Sequence, residues 1–346
     1  MRLVRGPALA ALVLLACAHG AVGPPARSAG PIDPSLAGRN DEELFALGTA
    51  AAQAGDDPRA AAAFGRLADD HPASPRAAAA LLGAGLAERR LGRLEAALTR
   101  FEALSARGAG DASDEGRFLS AECLWRLGRR GDARALLDGL AARGDLAPAL
   151  HLRAVSERAV LDLEQGEAER ARAALLDGLA AFERAGERER LDPRDTAQAR
   201  FYLGEAERSR FLAAPLDPGR SDADALRGEL EAKAELLLAA QESYLAAMRT
   251  GHPAYAVAAG ARVGELYDDL RRQLVEAPLP PSLDAAGERA YRAELREEVK
   301  VLAAKALVAY EETLSAARRA GVENDFVPRA EEALARMRQE LQVNEP

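Results

Sequence analysis

The residue types that most often carry chemistry are few and scattered in this chain. The histidines and cysteines together are His19, His71, His151, His252, Cys17 and Cys123. None of the histidines has a second histidine or a cysteine at the spacing that a tetrahedral zinc site requires. No phosphate-binding loop, nucleophile elbow or dinucleotide fingerprint occurs either. The sequence therefore predicts no metal site, no cofactor and no catalytic residue.

Two groups of carboxylates are dense enough to be paired acids. One is Glu294, Glu297 and Glu298, and the other is Asp268 with Asp269. Paired carboxylates act as a general acid and a general base when their environments separate their pKa values. Both groups lie in helical patterns with arginines nearby, so we interpret them as solvated helix faces.

Cys17 ends a segment with the features of a secretion signal. Arg2 and Arg5 precede a short apolar run, Ala8 to Ala16. That run is too short to span a bilayer, which needs about 20 apolar residues, but it has the length of a signal-peptide apolar region. Its last residues, LLAC, resemble the lipobox of bacterial lipoproteins, in which the cysteine is lipidated and becomes the mature N-terminus. Leu15 departs from the usual pattern, which has a small residue at that position.

The lipobox resemblance implies both an anchor and a location. Burial of acyl chains contributes about 0.8 kcal/mol per CH₂, so two or more chains on Cys17 hold a protein firmly to a membrane. Ala18, rather than an aspartate, follows the cysteine. By resemblance to Gram-negative sorting, this favours the periplasmic face of the outer membrane. The alternative is an ordinary signal peptide cleaved nearby, with Cys17 incidental.

The N-terminal segment is thus divided into residues 1–16, a signal peptide, and residues 17–40, a flexible tether rich in Gly, Pro, Ser and Ala. The whole chain is 48% hydrophobic and only 4% aromatic, and alanine, leucine, arginine and glutamate dominate it. These four residues are strong helix formers, so the sequence predicts an all-α fold. A net charge of −9 argues against a nucleic-acid partner. Cys123 lies in an apolar helical stretch and is interpreted as a small buried hydrophobe.

Self-comparison shows an internal repeat. The segment 60–67 aligns without gaps with the segment 97–104, at an offset of 37 residues. Further steps of 36 and 38 residues bring Ala97 onto Ala133 and then onto Ala171. A period of this length is typical of stacked helix hairpins.

The pattern resembles the tetratricopeptide repeat. The residues that carry the resemblance are Leu44, Leu47, Gly48, Ala60, Phe64, Pro72, Gly85, Ala97, Phe101, Ala133, Ala171, Tyr244 and Tyr310. In that family small residues let the two helices of a hairpin touch, and an aromatic residue on the second helix wedges between neighbours. The resemblance implies a right-handed α-solenoid with a concave groove, with four repeats in residues 41–184.

Residues 185–346 are predicted to be degenerate repeats with longer helices. The expected helices are about 221–249, 254–274, 284–320 and, as a terminal cap, 327–341. Within this part, roughly residues 236–335 resemble repeat proteins of predatory and gliding soil bacteria, some of which belong to envelope-spanning motility machines. The matching residues are Pro278 to Pro281, Tyr291, Tyr310, Gly321, Asn324, Asp325 and Phe326.

These observations predict a non-catalytic scaffold that binds other envelope proteins through the concave groove. The envelope process, whether motility, secretion or outer-membrane assembly, stays open. The alternative is a periplasmic module that binds cell wall or a small ligand. Phe118, Trp125 and Tyr202 are candidate groove residues, although each is more often a core residue at such a spacing.

The anchor makes a direct prediction. In Cys17→Ser the acyl chains have no attachment point, so we expect the protein to move from the membrane fraction to the soluble fraction of the cell. Fractionation followed by immunoblotting measures this shift, with the unchanged chain as control. Retention of Cys17→Ser in the membrane fraction would contradict lipid anchoring.

Overall fold

The computed structural model describes residues 36–186, 192–216, 223–277, 279 and 283–343. Over these residues the chain forms thirteen α-helices and no β-strand. The predicted all-α fold class is confirmed for this part of the chain. The predicted signal peptide, Cys17 and the tether up to residue 35 lie outside the described residues.

The first eight helices are short and follow the predicted hairpin pattern. Their bounds are α1 Asp41–Gln53, α2 Asp57–Asp70, α3 Ala77–Arg90, α4 Leu94–Ser105, α5 Asp111–Arg126, α6 Arg130–Ala141, α7 Pro148–Glu164 and α8 Ala168–Ala185. The last five helices are mostly longer: α9 Pro193–Ala213, α10 Ala223–Arg249, α11 Pro253–Glu276, α12 Ala285–Ala320 and α13 Phe326–Val343. The ends of α10 to α13 agree with the predicted ends to within two residues.

A glycine in a left-handed conformation turns the chain between the two helices of each of the first four hairpins. Gly55, Gly92, Gly128 and Gly166 have φ angles between 73° and 81°. Residues with a Cβ atom rarely adopt this conformation, so glycine is favoured at each turn. The recurrence of these glycines is one physical source of the repeat period.

The described residues fall into two compact units. The N-unit comprises residues 36–154 and the C-unit comprises residues 155–343, so the division lies within α7. The boundary at residue 184, which the sequence pattern places between the regular and the degenerate repeats, stays a prediction.

Aromatic wedges hold the helices of the N-unit together. The ring of Phe64, on α2, lies between Gly48 of α1 and Gly83 of α3. A Cβ atom added to Gly48 would lie 2.6 Å from the ring, and one added to Gly83 would lie 2.7 Å from it. Phe101, on α4, presses on Gly85 of α3 in the same way. The ring therefore fills the space that a side chain on the facing helix would need.

The C-unit repeats this arrangement with tyrosine in place of phenylalanine. A Cβ atom on Gly204 of α9 would lie 2.5 Å from the ring of Tyr244 on α10. One on Gly264 of α11 would lie 2.6 Å from the ring of Tyr310 on α12. The degenerate repeats thus keep the packing device of the regular ones.

Most of the repeat-signature residues are buried. Those with an exposure of at most 1% are Leu44, Ala60, Ala97, Phe101, Ala133, Ala171, Tyr244 and Tyr310. Leu47 packs against the first core cluster and is partly buried, whereas Pro72 is exposed just after α2.

The packed chain begins before α1. Leu36 is only 2% exposed and belongs to the core cluster of the first hairpin. Asn40 then caps α1, because its side chain accepts a hydrogen bond from the amide of Glu43, and the carboxylate of Glu43 accepts one from the amide of Asn40. The C-terminal end of the segment predicted as a tether is therefore already part of the packed structure.

The wedge predicts opposite effects of two glycine substitutions. In Gly48→Ala the new methyl group collides with Phe64, so we expect the free energy of unfolding to fall by about 1–3 kcal/mol. In Gly139→Ala, in α6, no atom lies near the new Cβ, and removal of a helical glycine should stabilise the protein by up to about 1 kcal/mol. Urea denaturation of both variants measures the difference. Equal stability of the two variants would contradict the wedge.

Candidate functional site

An open cavity of about 340 Å³ lies on one face of the N-unit. Its lining residues are Thr49, Ala52, Gln53, Phe64, Gly83, Leu86 and Arg90. Most of them belong to α1 and α3, the first helices of their hairpins. The Phe64 wedge, which is only 6% exposed, forms part of the wall. The lining is mainly apolar, with polar groups at the ends of the two helices.

The same helix face continues onto α5. The repeat offsets of 37 and 36 residues make Thr49 equivalent to Leu86 and Glu122, and Ala52 equivalent to Arg89 and Trp125. Arg89 forms an ion pair with Glu122, which joins α3 to α5. We call this surface, made by α1, α3 and α5, the groove face.

The charges of the groove face are largely paired within the protein. Arg90 lies 2.7 Å from the carboxylate of Asp57. Arg153 donates to Glu115 at 2.8 Å and lies 4.2 Å from the ring centre of Phe118. Partly buried pairs of this kind leave little free charge for a ligand. The groove face therefore favours apolar contact over charge recognition.

The structure separates the three candidate groove residues. Phe118 and Tyr202 are 2% and 1% exposed, so both are core residues. Trp125 is half-buried at the end of α5, with Arg130 over its ring at 5.8 Å. Only Trp125 is therefore placed to contact a partner.

In the C-unit the equivalent positions are filled by the protein itself. Glu205 follows Gly204 as Thr49 follows Gly48, and Glu205 is 3% exposed. Arg262 of α11 donates two hydrogen bonds to it, at 2.8 Å and 2.9 Å. The hydroxyl group of Tyr244 also donates to Glu205.

The network extends along α9 and α11. Arg262 also pairs with Glu265, and Arg208 of α9 lies 2.7 Å from Asp269 and 3.4 Å from Glu265. Burial opposes ionisation of Glu265, but Arg262 and Arg208 outweigh it and hold the pKa of this carboxyl below its ordinary value. Each acid of the network faces an arginine, so the network is a structural contact rather than a proton-transfer site.

The interpretation of Asp268 and Asp269 as a solvated face is wrong. They are 1% and 8% exposed. Asp268 accepts from Arg271 at 2.8 Å and from Arg336 of α13 at 2.7 Å. Arginines from elements distant in sequence cover these acids, and a local charge pattern does not contain that information. The other group, Glu294, Glu297 and Glu298, is exposed as interpreted.

The described histidines make local contacts. The Nε2 atom of His71 lies 3.2 Å from the carbonyl oxygen of Arg39, and that of His151 lies 3.2 Å from the carbonyl oxygen of Ala141. His252 caps the start of α11 by accepting from the amide of Tyr255. Burial, with Arg194 nearby, lowers the pKa of His252, which keeps the ring neutral and able to accept.

Two further observations concern chemistry and membranes. Burial raises the pKa of the Cys123 thiol to about 11, and the residue is fully buried, as a small hydrophobe would be. Within the described ranges no three His, Cys, Asp or Glu residues are grouped to hold a metal ion. No helix of the described part has the length and apolar character needed to cross a bilayer.

Comparison with known proteins finds similarity among solved structures. No protein-family model matches the chain, and no curated protein matches it. Among solved structures, a tetratricopeptide repeat protein from Parabacteroides merdae matches with 17% identity and a TM-score of 0.40. The match covers 86% of this chain and 98% of the other. A similarity at this level decides neither partner, location nor activity.

The buried network makes a prediction about stability. In Arg262→Met the carboxylate of Glu205 loses two hydrogen bonds while it stays buried, so we expect a loss of about 3–5 kcal/mol in the free energy of unfolding. The control Arg338→Met breaks the exposed pair with Glu311 and should cost less than about 1 kcal/mol. Denaturant titration of both variants measures the difference. A small effect in Arg262→Met would mean that the network contributes little.

Proposed function

We propose that this protein is a non-catalytic scaffold that binds another protein at the groove face of the N-unit. The observation that carries the proposal is the open, mainly apolar cavity between α1 and α3. Concave apolar surfaces with a few polar groups are the usual form of a binding site. The C-unit holds buried ion pairs at the equivalent positions, which leaves the groove face of the N-unit as the better candidate.

The partner that fits this face is a protein segment with an apolar side chain. The cavity walls of Phe64, Leu86 and Ala52 offer apolar contact. The polar ends, Gln53 and Thr49, can orient the backbone of such a segment by hydrogen bonds. Because the nearby arginines are already paired, the affinity should depend only weakly on salt.

The proposal places the protein in a bacterial envelope, at the periplasmic face of the outer membrane. The support is the N-terminal segment, in which a signal-like apolar run ends at Cys17. Its resemblance to lipoproteins, and that of residues near the C-terminus to envelope proteins of gliding bacteria, favour a role in a multiprotein envelope machine. The tether after Cys17 would let the helical part reach partners away from the lipid.

A second candidate function is binding of a small ligand or a cell-wall fragment. One observation favours it: a cavity of about 340 Å³ falls near the lower end of the range of small-ligand sites, about 300–1,000 Å³. A muropeptide that occupied the cavity would raise the melting temperature of the purified protein.

Photocrosslinking in cells tests the two functions. A photoreactive amino acid in place of Gln53, at the cavity rim, should give a discrete crosslinked protein. The same amino acid in place of the exposed Glu242, on α10, should not give that product. Mass spectrometry then identifies the partner.

A matched pair of leucine substitutions tests whether the cavity itself binds the partner. Leu86→Glu puts a carboxylate into the apolar cavity, so we expect the affinity for the crosslinked partner to fall at least about tenfold. Leu238→Glu, at a residue of α10 that is 61% exposed, should leave the affinity unchanged. An unchanged affinity in Leu86→Glu would contradict the scaffold. So would a protein that muropeptides stabilise and that has no protein partner.

A further inference from the structure

Two tyrosine hydroxyl groups in the C-unit are buried without a hydrogen-bond partner. Tyr202 of α9 and Tyr255 of α11 are each 1% exposed. Within the part of the chain that the structure describes, neither hydroxyl oxygen is within hydrogen-bond reach of a protein group. Other buried tyrosines do find partners: Tyr244 donates to Glu205, and Tyr267 donates to Gln241 at 2.9 Å.

The two tyrosines share one neighbourhood. Both rings contact Phe201, with centroid distances of 5.4 Å for Tyr202 and 5.7 Å for Tyr255. Gln198, one turn before Tyr202 on α9, donates a hydrogen bond of 2.8 Å to Glu157 of α7. Polar groups from α7, α9 and α11 therefore come together in an otherwise apolar core.

Both phenols keep their protons in this environment. Burial raises the pKa of Tyr202 first, and Tyr255 and Glu157 raise it further. Burial also raises the pKa of Tyr255. Each hydroxyl can therefore donate one hydrogen bond and accept another.

A buried hydroxyl group without a partner destabilises a folded protein, and native proteins contain few of them. Both rings contact Phe201, and the charge of Glu157 raises the pKa of both tyrosines, so the two hydroxyl groups lie in one region that a single partner other than a protein side chain can serve. A water molecule fits, because it can donate and accept at once and is typically held by two to four polar groups.

We infer that Tyr202 and Tyr255 form a binding site for one ordered water molecule, with the Glu157 carboxylate as a further acceptor. The water links α9 to α11 and, through Glu157, to α7. The water gives the start of the C-unit a polar contact between the first helices of neighbouring hairpins. The Arg262–Glu205 pair makes such a contact further along α9 and α11. This site is independent of the proposed function.

Tyrosine-to-phenylalanine substitutions in the full chain test the site. If a water bridges the hydroxyls, Tyr202→Phe and Tyr255→Phe each lose a hydrogen bond, and each should lower the melting temperature by about 2–4 °C. The double variant should lose less than the sum, because either single change already releases the water. Tyr291→Phe, at a half-buried tyrosine of α12, is the matched control and should leave the melting temperature unchanged.

A different change in melting temperature is expected if no water is bound. If the hydroxyls have no partner at all, removal of a buried polar atom stabilises the protein, and both single variants should melt at or above the temperature of the unchanged chain. That outcome, or strictly additive losses, overturns the proposal. A high-resolution crystal structure supplies the second readout: one density peak within about 3 Å of both oxygens supports the water. An empty site or density for a larger molecule refutes it.

Discussion

Close contact between an aromatic ring on one helix and a glycine on the facing helix is the constraint on which this structure depends. The pairs are Phe64 with Gly48, Phe101 with Gly85, Tyr244 with Gly204 and Tyr310 with Gly264. A ring that lies on helix backbone leaves no room for a Cβ atom, so each pair fixes how closely two helices approach and which faces they turn to each other. The contact recurs in both units, although their helices differ in length from 12 residues in α4 to 36 in α12.

The wedge also decides which residues face the inner side of each hairpin. The residues that directly follow the wedge glycines occupy equivalent positions in the repeats. They are Thr49 and Leu86 in the N-unit and Glu205 and Glu265 in the C-unit. In the N-unit these residues border an open cavity, whereas in the C-unit they are held by arginines. One packing rule therefore produces a candidate binding surface in one unit and an internal ion-pair network in the other.

The ring type contributes to that difference. Phenylalanine needs no polar partner, so the wedges Phe64 and Phe101 allow an apolar neighbourhood. Tyrosine carries a hydroxyl group that must be satisfied when it is buried. Tyr244 donates to Glu205, and Glu205 in turn requires the cation of Arg262. The tyrosine at the wedge thus accompanies polar groups in the core of the C-unit. Tyr202 and Tyr255, nearer to α7, also need hydrogen-bond partners for their buried hydroxyl groups.

The sequence by itself determined the helical class and the repeat period, because these depend on local propensity and on residues that recur at fixed spacing. The resemblance to the tetratricopeptide repeat then implied the roles of Gly48 and Phe64. Only the tertiary structure decided that Asp268 and Asp269 are buried, because one partner, Arg336, lies 68 residues further along the chain. For the same reason it decided that Phe118 and Tyr202 are core residues while Trp125 stays half-exposed. Burial depends on which distant helix covers a residue, and a local pattern does not contain that information.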